Sequence, residues 1–516
     1  MTTVLVSYFT SLIGSADPLV SGCTVESLKG LLNYSLPAAD LLKKEVEDME
    51  IKSALFRQGK DKSSGPDGYT SVFFKAAWDI VGADFMSAAR LVPFFPAMIS
   101  QSQKAFVKGR NIVDNTLLAQ EIVKGYSRKS LSPRCAIKID MQKAFDSGEK
   151  GIRQGDPLSP YLFVMAMNVM SSLLDTAAKK GIFKFHPKCK RISLAHLCFA
   201  DDLLVFCYGS LDAVLGVQSN LEKFYELSGL KLNAQKIEFF ACGLNEHTVE
   251  KICRATGFRL GQLPVSYLGV PLVTRKLIGN NCAVFMFNYW SRQLILPKGI
   301  IRDIERLCMC FFWKGSDSSA RGARVRWGQI CTLKFEGGLG LKSLVEWSRA
   351  CYLLMVRNIL ANEGSLWIVW IKEYCFTSTS YWEVVYKPHF SWILSKLLIL
   401  KEEARTLFIP CADWSIINGK WIWDSIRSSR VKIVWHKLIW FPAHIPKFSL
   451  FSWMVILDRL PTKDRLARFG LIVDHACGLC GTGLESRDHL FVDCSYAKDV
   501  WNSILVACGL SHVVHS

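Results

Sequence analysis

No run of this chain reaches the ~18 consecutive apolar residues that a membrane-spanning helix needs. The longest candidate, residues 161–178, is interrupted by Asn168, Ser171, Ser172 and Asp175, so no membrane partner is expected. The first twenty residues lack a basic start and a cleavage-site pattern, so a secretory signal is not expected either. An intracellular protein follows, nuclear and/or cytoplasmic and not secreted. The cysteines form no regular framework, although there are 18 of them. Cys198, Cys207, Cys308 and Cys310 lie in apolar runs, where cysteine acts as a small hydrophobe. In a reducing compartment, clustered cysteines point to metal rather than to disulfides. Internal repeats and low-complexity tracts are absent from the sequence, which excludes solenoids and disordered polar tails. Acidic residues are in deficit: Asp plus Glu total 45 against 63 Lys plus Arg, a net charge of +18.

A balance that positive suits a polyanion such as nucleic acid, although a soluble basic protein without such a partner has the same balance. The length, 516 residues, implies two to four domains. Half of the residues are hydrophobic and 12% aromatic, enough for folded cores. Residues 1–59 read as an amphipathic helical linker. The turn cluster Ser63-Ser64-Gly65-Pro66-Asp67-Gly68 follows, then a helical stretch around Phe73–Trp78. A basic turn (Lys104, Lys108, Gly109, Arg110) precedes a helix bearing Ile112, Leu117, Leu118, Ile122 and Val123. Residues 134–140 alternate as a strand. Leu158, Leu162, Met165, Val169 and Leu173 share a helical face. Residues 197–207 read as a hairpin with Asp201 and Asp202 at its tip, and 211–227 as a helix ending at Gly229.

The chemistry-bearing residues are carboxylates. Asp140 ends the apolar run Ala136-Ile137-Lys138-Ile139, and Asp201-Asp202 interrupts Leu197-Cys198-Phe199 and Leu203-Leu204-Val205-Phe206. Between them lies Gly151-Ile152-Arg153-Gln154-Gly155-Asp156-Pro157. Phosphoryl transfer to a nucleotide needs charge neutralised at the attacking and leaving oxygens. Hard divalent cations held by carboxylates on rigid strand ends do this. An Asp-Asp pair alone is most often a solvated turn; here apolar strands flank it on both sides.

These segments resemble those of plant LINE-type non-LTR retrotransposon reverse transcriptases. Phe199-Ala200-Asp201-Asp202 resembles the signature hairpin. Asp140-Met141-Gln142-Lys143-Ala144-Phe145-Asp146 resembles the first metal-binding strand, and Gly151–Phe163 the template- and nucleotide-contacting turn and helix. Gly229–Lys236, Tyr267–Leu272, Ser64–Gly68 and Gln103–Arg110 are similar to further segments, in family order. The resemblance implies an α+β fold: a partial right-hand polymerase palm and fingers over residues 60–275, a helical thumb or connector over 276–418, and a small zinc-binding domain over 419–510. It implies an RNA-directed DNA polymerase that adds a dNTP to a DNA primer 3′-OH on an RNA template, with Mg²⁺ or Mn²⁺. Asp140 and Asp201 would hold that metal and Asp202 would support the site. Phe145 would screen the ribose, Arg153, Gln154 and Gly155 would face nucleotide and template, and Arg110 and Lys236 would contact phosphate. A solvated side chain explains each basic residue equally well.

The pattern also departs from the family. A long helical segment normally separates the first metal strand from the glycine-rich turn, but here Phe145–Lys150 runs straight into Gly151. Six extended residues span only about 20 Å. Between Asp84 and Gln101 the family's Pro-Lys pair and Arg-Pro-Ile-Ser sequence are absent. Neither endonuclease-like nor RNase H-like regions are recognised. The expectation is an internally deleted, end-truncated copy with defective synthesis. The alternatives are a non-catalytic nucleic-acid-binding remnant and a protein-interaction module built on the Trp-rich helices. The oligomeric state is not legible.

At the other end, Cys477-x2-Cys480-x8-His489-x4-Cys494 has the number and type of ligands for a closed tetrahedral Zn²⁺ site. His475 stands close enough in sequence to replace one of them. Thr462, Asp464, Arg468 and Gly470 mark a preceding helix from cap to end, around which Trp435, Trp440, Trp453 and Trp501 would pack. Residues 435–501 closely resemble the zinc-binding region downstream of plant non-LTR polymerases. Lys432, Lys437, Lys447, Arg465 and Arg468 allow RNA or DNA binding, and would equally solvate a helix face.

Overall fold

The computed structural model describes residues 71–80, 95–139, 159–230, 236–273, 298–314 and 323–510, apart from 129, 364, 378, 410–412 and 415, together with positions 52, 53, 56, 82 and 141. The chain divides into two compact units. One draws on Met1–Val284 and Met355–Trp414, the other on Phe285–Leu354 and Ser415–Ser516. Of the stretch read as a connector, residues 355–414 fall in the first unit and 285–354 in the second.

The first unit is built on a five-stranded sheet. Its elements are α1 (Ile112–Val123), β1 (Arg134–Ile139), α2 (Ser159–Lys179), β2 (His196–Phe199), β3 (Asp202–Tyr208), α3 (Leu211–Ser228), β4 (Glu238–Cys242), α4 (Glu246–Thr256) and β5 (Arg259–Leu260). The strand order is β2-β3-β1-β4-β5. β1 runs antiparallel to both neighbours, with Ile137 opposite Val205 on one side and Phe239 on the other. The alternation expected for 134–140 does not survive as alternating burial: every residue of β1 except Lys138 is buried. The second face of the sheet is covered by packing too, and there Ala136 and Phe206 are fully buried.

On one face Cys135, Ile137, Ile139, Val205 and Phe239 meet Phe163, Met167 and Met170 of α2 and Val214, Leu221 and Phe224 of α3. Each fully buried large apolar side chain there contributes ~1.5–3 kcal/mol. By length and composition, residues Pro160–Lys179 would suffice to cross a membrane. In the fold they supply this core face instead. On the other register, Phe206 meets the edge of His186, whose ring nitrogen lies 3.0 Å from the Tyr126 hydroxyl just after α1.

Local signals explain the helix ends. Ser210 Oγ accepts the N–H of Ala213 at the start of α3, and Gly229 closes it with φ +72°, the left-handed conformation that glycine adopts without cost. A second hairpin, β6 (Val265–Tyr267) with β7 (Val270–Leu272), is tied to α1 through Gln120, which accepts the Val273 N–H at 3.1 Å and donates back to its carbonyl. Residues 355–414 join the same body. The Trp370 indole donates to the Lys188 carbonyl at 2.7 Å, and Arg191 bonds the Glu373 carbonyl and the Tyr374 hydroxyl at 2.9 and 2.8 Å.

The second unit is helical. Its core gathers Val325, Ile330, Ile439, Trp453, Met454 and Leu460, with Trp435 and Trp440 packed at its margin. Trp453, in helix Pro446–Ile456, is fully buried and donates to the Gly337 carbonyl at 2.9 Å. One guanidinium nitrogen of Arg427, Nη1, donates to both oxygens of buried Glu336 at 2.7 and 2.9 Å, a charge-assisted contact of the stronger kind. Trp501 does not join that core: it lies on helix Ser495–Ala507, half exposed, with its indole on the Phe491 carbonyl at 3.1 Å.

Candidate functional sites: an aspartate hairpin and a Cys/His cluster

β2 and β3 form the expected hairpin, with Phe199 opposite Asp202 and Ala200-Asp201 as the two-residue turn. Ala200 has φ +53° while Asp201 is not among the positive-φ residues, the sign pattern of a II′ turn, whose twist suits a tight hairpin. Asp201 is exposed and Asp202 half-buried at the start of β3. β1 ends at Ile139, opposite Leu203, and so next to Asp202 in sequence. Asp140, Phe145, Arg153, Gln154 and Gly155 lie outside the described residues.

The tip is held from a direction that the sequence does not reveal. Residues 102–104 lie along the free edge of β2. Cys198 N–H donates to the Ser102 carbonyl at 2.9 Å, and Lys104 N–H to the Cys198 carbonyl at 3.1 Å. Gln103 is completely buried. Its Oε1 accepts the Ala200 N–H at 3.1 Å and its Nε2 approaches the Ala200 carbonyl at 3.4 Å and Cys198 Sγ at 3.2 Å. Asn115 of α1 adds a 2.9 Å bond to the Cys198 carbonyl. Burial, with Asp201 and Asp202 nearby, pushes the Cys198 thiol far above its usual range. It therefore stays protonated and donates to the Ala200 carbonyl at 3.1 Å. Beside it, burial pulls the Lys104 ammonium below the ordinary lysine range, opposed by Asp114 at 3.7 Å, whose own carboxyl burial raises.

The basic residues expected at phosphates differ from one another. Lys236 is exposed. The Arg110 guanidinium is engaged by backbone: the carbonyls of Ser100, Gln103 (2.6 Å), Ile99 (2.6 Å) and Pro96 (3.0 Å) all accept from it. That many carbonyl contacts make Arg110 the organiser of the 96–103 loop, and a phosphate would have to compete with them. Its sequence position among Lys104, Lys108 and Gly109 gave no sign of this.

In the second unit, Cys477, Cys480, His489 and Cys494 converge, with their four ligand atoms all within 4.8 Å of one another. Cys477 and Cys494 sulfurs are 4.0 Å apart, and Cys480 Sγ is 3.3 Å from His489 Nε2. A tetrahedral Zn²⁺ with ~2.3 Å Zn–S bonds sets ligand edges of about 3.8 Å, so this donor set fits the ion. His475 is exposed and outside the cluster; its carbonyl accepts the Glu485 N–H. The Cys477–Cys480 knuckle is closed by Gly481 N–H on the Cys477 carbonyl at 2.9 Å and by Leu479 N–H on Cys477 Sγ at 3.4 Å. Hydrogen bonds from the Thr482 hydroxyl and backbone, then from His489, bring the Cys480 thiol down to about 6. A thiolate at neutral pH is the form that binds metal.

Gly483 is the glycine this cluster requires. Its φ is +82°, and a Cβ there would stand 2.7 Å from His489 Cε1. His489 begins the π-helical turn His489–Asp493, after which Cys494 opens helix Ser495–Ala507. The preceding helix, Lys463–Arg468, has Thr462 at its cap position, as expected, but the Thr462 side chain makes no capping bond. It donates to Asp464 Oδ1 at 2.6 Å instead.

Residues 148–272 match the family described as reverse transcriptase (RNA-dependent DNA polymerase), and residues 419–501 the family described as zinc-binding in reverse transcriptase. The first match contains the aspartate hairpin and starts after Asp140; the second contains the Cys/His cluster. A putative ribonuclease H protein of Arabidopsis thaliana is 23% identical over 37% of this chain and 25% of its own length. The Pol polyprotein of a type-2 retrotransposable element of Drosophila melanogaster is 33% identical over 23% of this chain and 10% of its own. An uncharacterized mitochondrial protein of Arabidopsis thaliana is 45% identical over 10% of this chain and 44% of its own. The chain thus spans less than half the length of each of these curated relatives. It carries retrotransposon reverse-transcriptase sequence followed by a C-terminal zinc-binding region of the reverse-transcriptase type.

Proposed function

We propose that this chain is a shortened reverse transcriptase of a non-LTR retrotransposon, whose palm keeps its carboxylates while its nucleotide-handling surface is reduced. The observation that carries this reading is the β2–β3 hairpin with Asp201 and Asp202 at its tip, inside the matched reverse-transcriptase segment. Strand β1 supports Asp140 as the partner carboxylate, because its last residue, Ile139, lies across from Leu203, the neighbour of Asp202. When bound, Mg²⁺ or Mn²⁺ would neutralise the attacking 3′-oxygen and the leaving pyrophosphate. The chain's own part is to hold the carboxylates on a stiff turn, with Asp201 facing solvent where a primer end and a dNTP can reach it.

The short Asp140–Gly151 spacing argues for weak synthesis. The cations that normally grip the triphosphate are absent from the sequence between Asp84 and Gln101, and one such electrostatic contact is worth ~3–4 kcal/mol in the transition state. That spacing also favours a second reading, a nucleic-acid-binding remnant without synthesis. Template-primed extension with Mg²⁺ or Mn²⁺ decides between them. The first reading expects short products that Asp201→Asn abolishes. The second expects salt-sensitive RNA or DNA binding and no product with either metal. Extension by Asp201→Asn equal to the parent would sink the carboxylate assignment.

We assign Zn²⁺ to Cys477, Cys480, His489 and Cys494 as a structural ion. All four ligand positions are protein side chains, which leaves no open site for a substrate. The role that follows is to fold residues 475–494 into a platform next to helix Lys463–Arg468.

A further inference from the structure

We infer that Gln103 is a positioning residue for the aspartate hairpin: its buried amide fixes the Ala200 turn and so sets the directions of Asp201 and Asp202. The inference deepens the reverse-transcriptase reading and rests on Asp201 being a divalent-metal ligand.

The tip has a reason to need holding. Ala200 sits at φ +53°, a left-handed conformation that costs a non-glycine residue about 1–2 kcal/mol. The two adjacent carboxylates repel each other at neutral pH, which adds to the tendency of a free tip to open. The β2–β3 ladder ends at the Phe199–Asp202 pair, so Ala200 and Asp201 lie beyond its last rung.

Gln103 supplies the missing restraint. One amide group accepts from the Ala200 N–H at 3.1 Å and faces the Ala200 carbonyl at 3.4 Å. That is the pair of contacts a neighbouring strand would offer, delivered by a side chain one step beyond where the edge bridge stops. Because Gln103 is fully buried, water does not compete for these bonds, and an unpaired amide there would be costly. Its backbone is fixed in turn. The bridge to Cys198 holds residues 102 and 104, and Arg110 bonds the Gln103 carbonyl at 2.6 Å while binding three other carbonyls of the same loop. Restraint therefore passes from Arg110 through the 96–103 loop to Gln103, then Ala200, then the carboxylates. A stiff support of this kind matters to a metal site because ligand affinity depends on groups that orient the ligands.

The test is Mn²⁺ binding to the full chain, followed by electron paramagnetic resonance, with the hairpin component defined as the part that Asp201→Asn removes. Hydrogen exchange of the 199–203 segment and the melting temperature are read on the same samples. Gln103→Leu keeps the volume and loses every amide contact, those to Ala200 and Cys198 and the acceptance of the Ala105 N–H. Gln103→Asn keeps an amide that is one methylene too short to reach, and serves where the leucine variant fails to fold. We expect the hairpin Mn²⁺ affinity to fall about tenfold in either variant, with faster exchange at 199–203. Mn²⁺ affinity within twofold of the parent in a folded variant overturns the inference, even where the melting temperature drops, since that is what a purely structural glutamine would give. A parent chain in which Asp201→Asn leaves Mn²⁺ binding untouched overturns the metal reading itself, and this inference with it. The Asp201 control shows that failure regardless of what happens at Gln103.

Discussion

Glu485 holds Lys463 at both ends: its Oε1 accepts the Lys463 backbone N–H at 3.2 Å, and its Oε2 lies 3.9 Å from the Lys463 ammonium. The Glu485 carbonyl takes the next N–H, that of Asp464, at 3.1 Å. The same carboxylate reaches Gly478 N–H, inside the zinc knuckle, at 3.4 Å. The first turn of helix Lys463–Arg468 is therefore capped from the Cys/His loop, and helix and knuckle share one acidic group. Replacing Glu485 by Ala should cost about 1 kcal/mol of local stability and should speed amide exchange in 463–466 and around Gly478 together. Exchange that rises in the helix alone would show the two to be uncoupled.

The Cys/His cluster predicts one equivalent of zinc per chain. Elemental analysis of the purified protein should find it, and Cys477→Ser or His489→Ala should lower affinity roughly a hundredfold or more. His475→Ala should retain it, because His475 lies outside the group of converging ligand atoms. A chelator should loosen helix Lys463–Arg468 along with the knuckle, through the Glu485 link.

Trp453 anchors the core of the second unit. Trp453→Ala should destabilise that unit by ~3–5 kcal/mol. Trp453→Phe should cost much less. The Gly337 carbonyl that loses the indole N–H keeps its 2.8 Å bond from Gln329, so no buried acceptor is orphaned. Thermal unfolding followed by exchange of residues 446–456 separates the two variants.

Lys188 gives a pH signature. It caps the end of α1 by donating to the carbonyls of Glu121, Ile122 and Lys124 at 2.7, 3.1 and 2.9 Å. Burial pulls its ammonium from 10.5 down to about 8, with the Glu121 carboxylate pulling the other way. Between about 8 and 10.5 the unfolded chain holds a proton that the folded chain has released. Stability attributable to this group therefore rises with pH across that window. Below about 8 the cost of burying the charge is constant. The melting-temperature difference between parent and Lys188→Met should thus shift in the parent's favour as pH rises from 8 towards 10. A flat difference would contradict the assignment.

Much of this was legible in the chain, for local reasons. Short apolar runs on both sides of Asp201-Asp202 specified a hairpin, because two buried strands broken by a brief polar interruption have few other solutions. The spacing of Cys477, Cys480, His489 and Cys494 specified a cluster because thiolates two residues apart can grip one ion. Relations across long sequence distances were not legible. Gln103 meets Ala200 across 97 positions, and no local pattern marks a glutamine as the clamp of a remote turn. Thr462 carried the usual cap signal, yet Glu485 does the capping from 22 residues away. The resemblance implied a phosphate contact for Arg110, and no local pattern showed that its guanidinium also bonds four carbonyls of its own loop. Residues 355–414 gave only a helical, Trp-rich pattern; that they fold with the sheet unit depends on contacts such as Trp370 to Lys188, which periodicity does not encode.

The position of β1 has a consequence for how the sheet assembles. β1 comes first in the chain, yet it lies between β3 and β4, both made later. The β2–β3 hairpin can close as soon as its two strands exist. β1 must instead wait with two open edges, and an apolar strand in that condition invites wrong pairing during synthesis. How soon it is captured depends on the connection from residue 140 to 201. Loop-closure entropy varies only as the logarithm of length, about 0.6 kcal/mol per halving. Shortening that connection slightly favours closure. Completion of the sheet is therefore nearly indifferent to the length of the 140–201 connection, which leaves that stretch free to vary without costing the strand order.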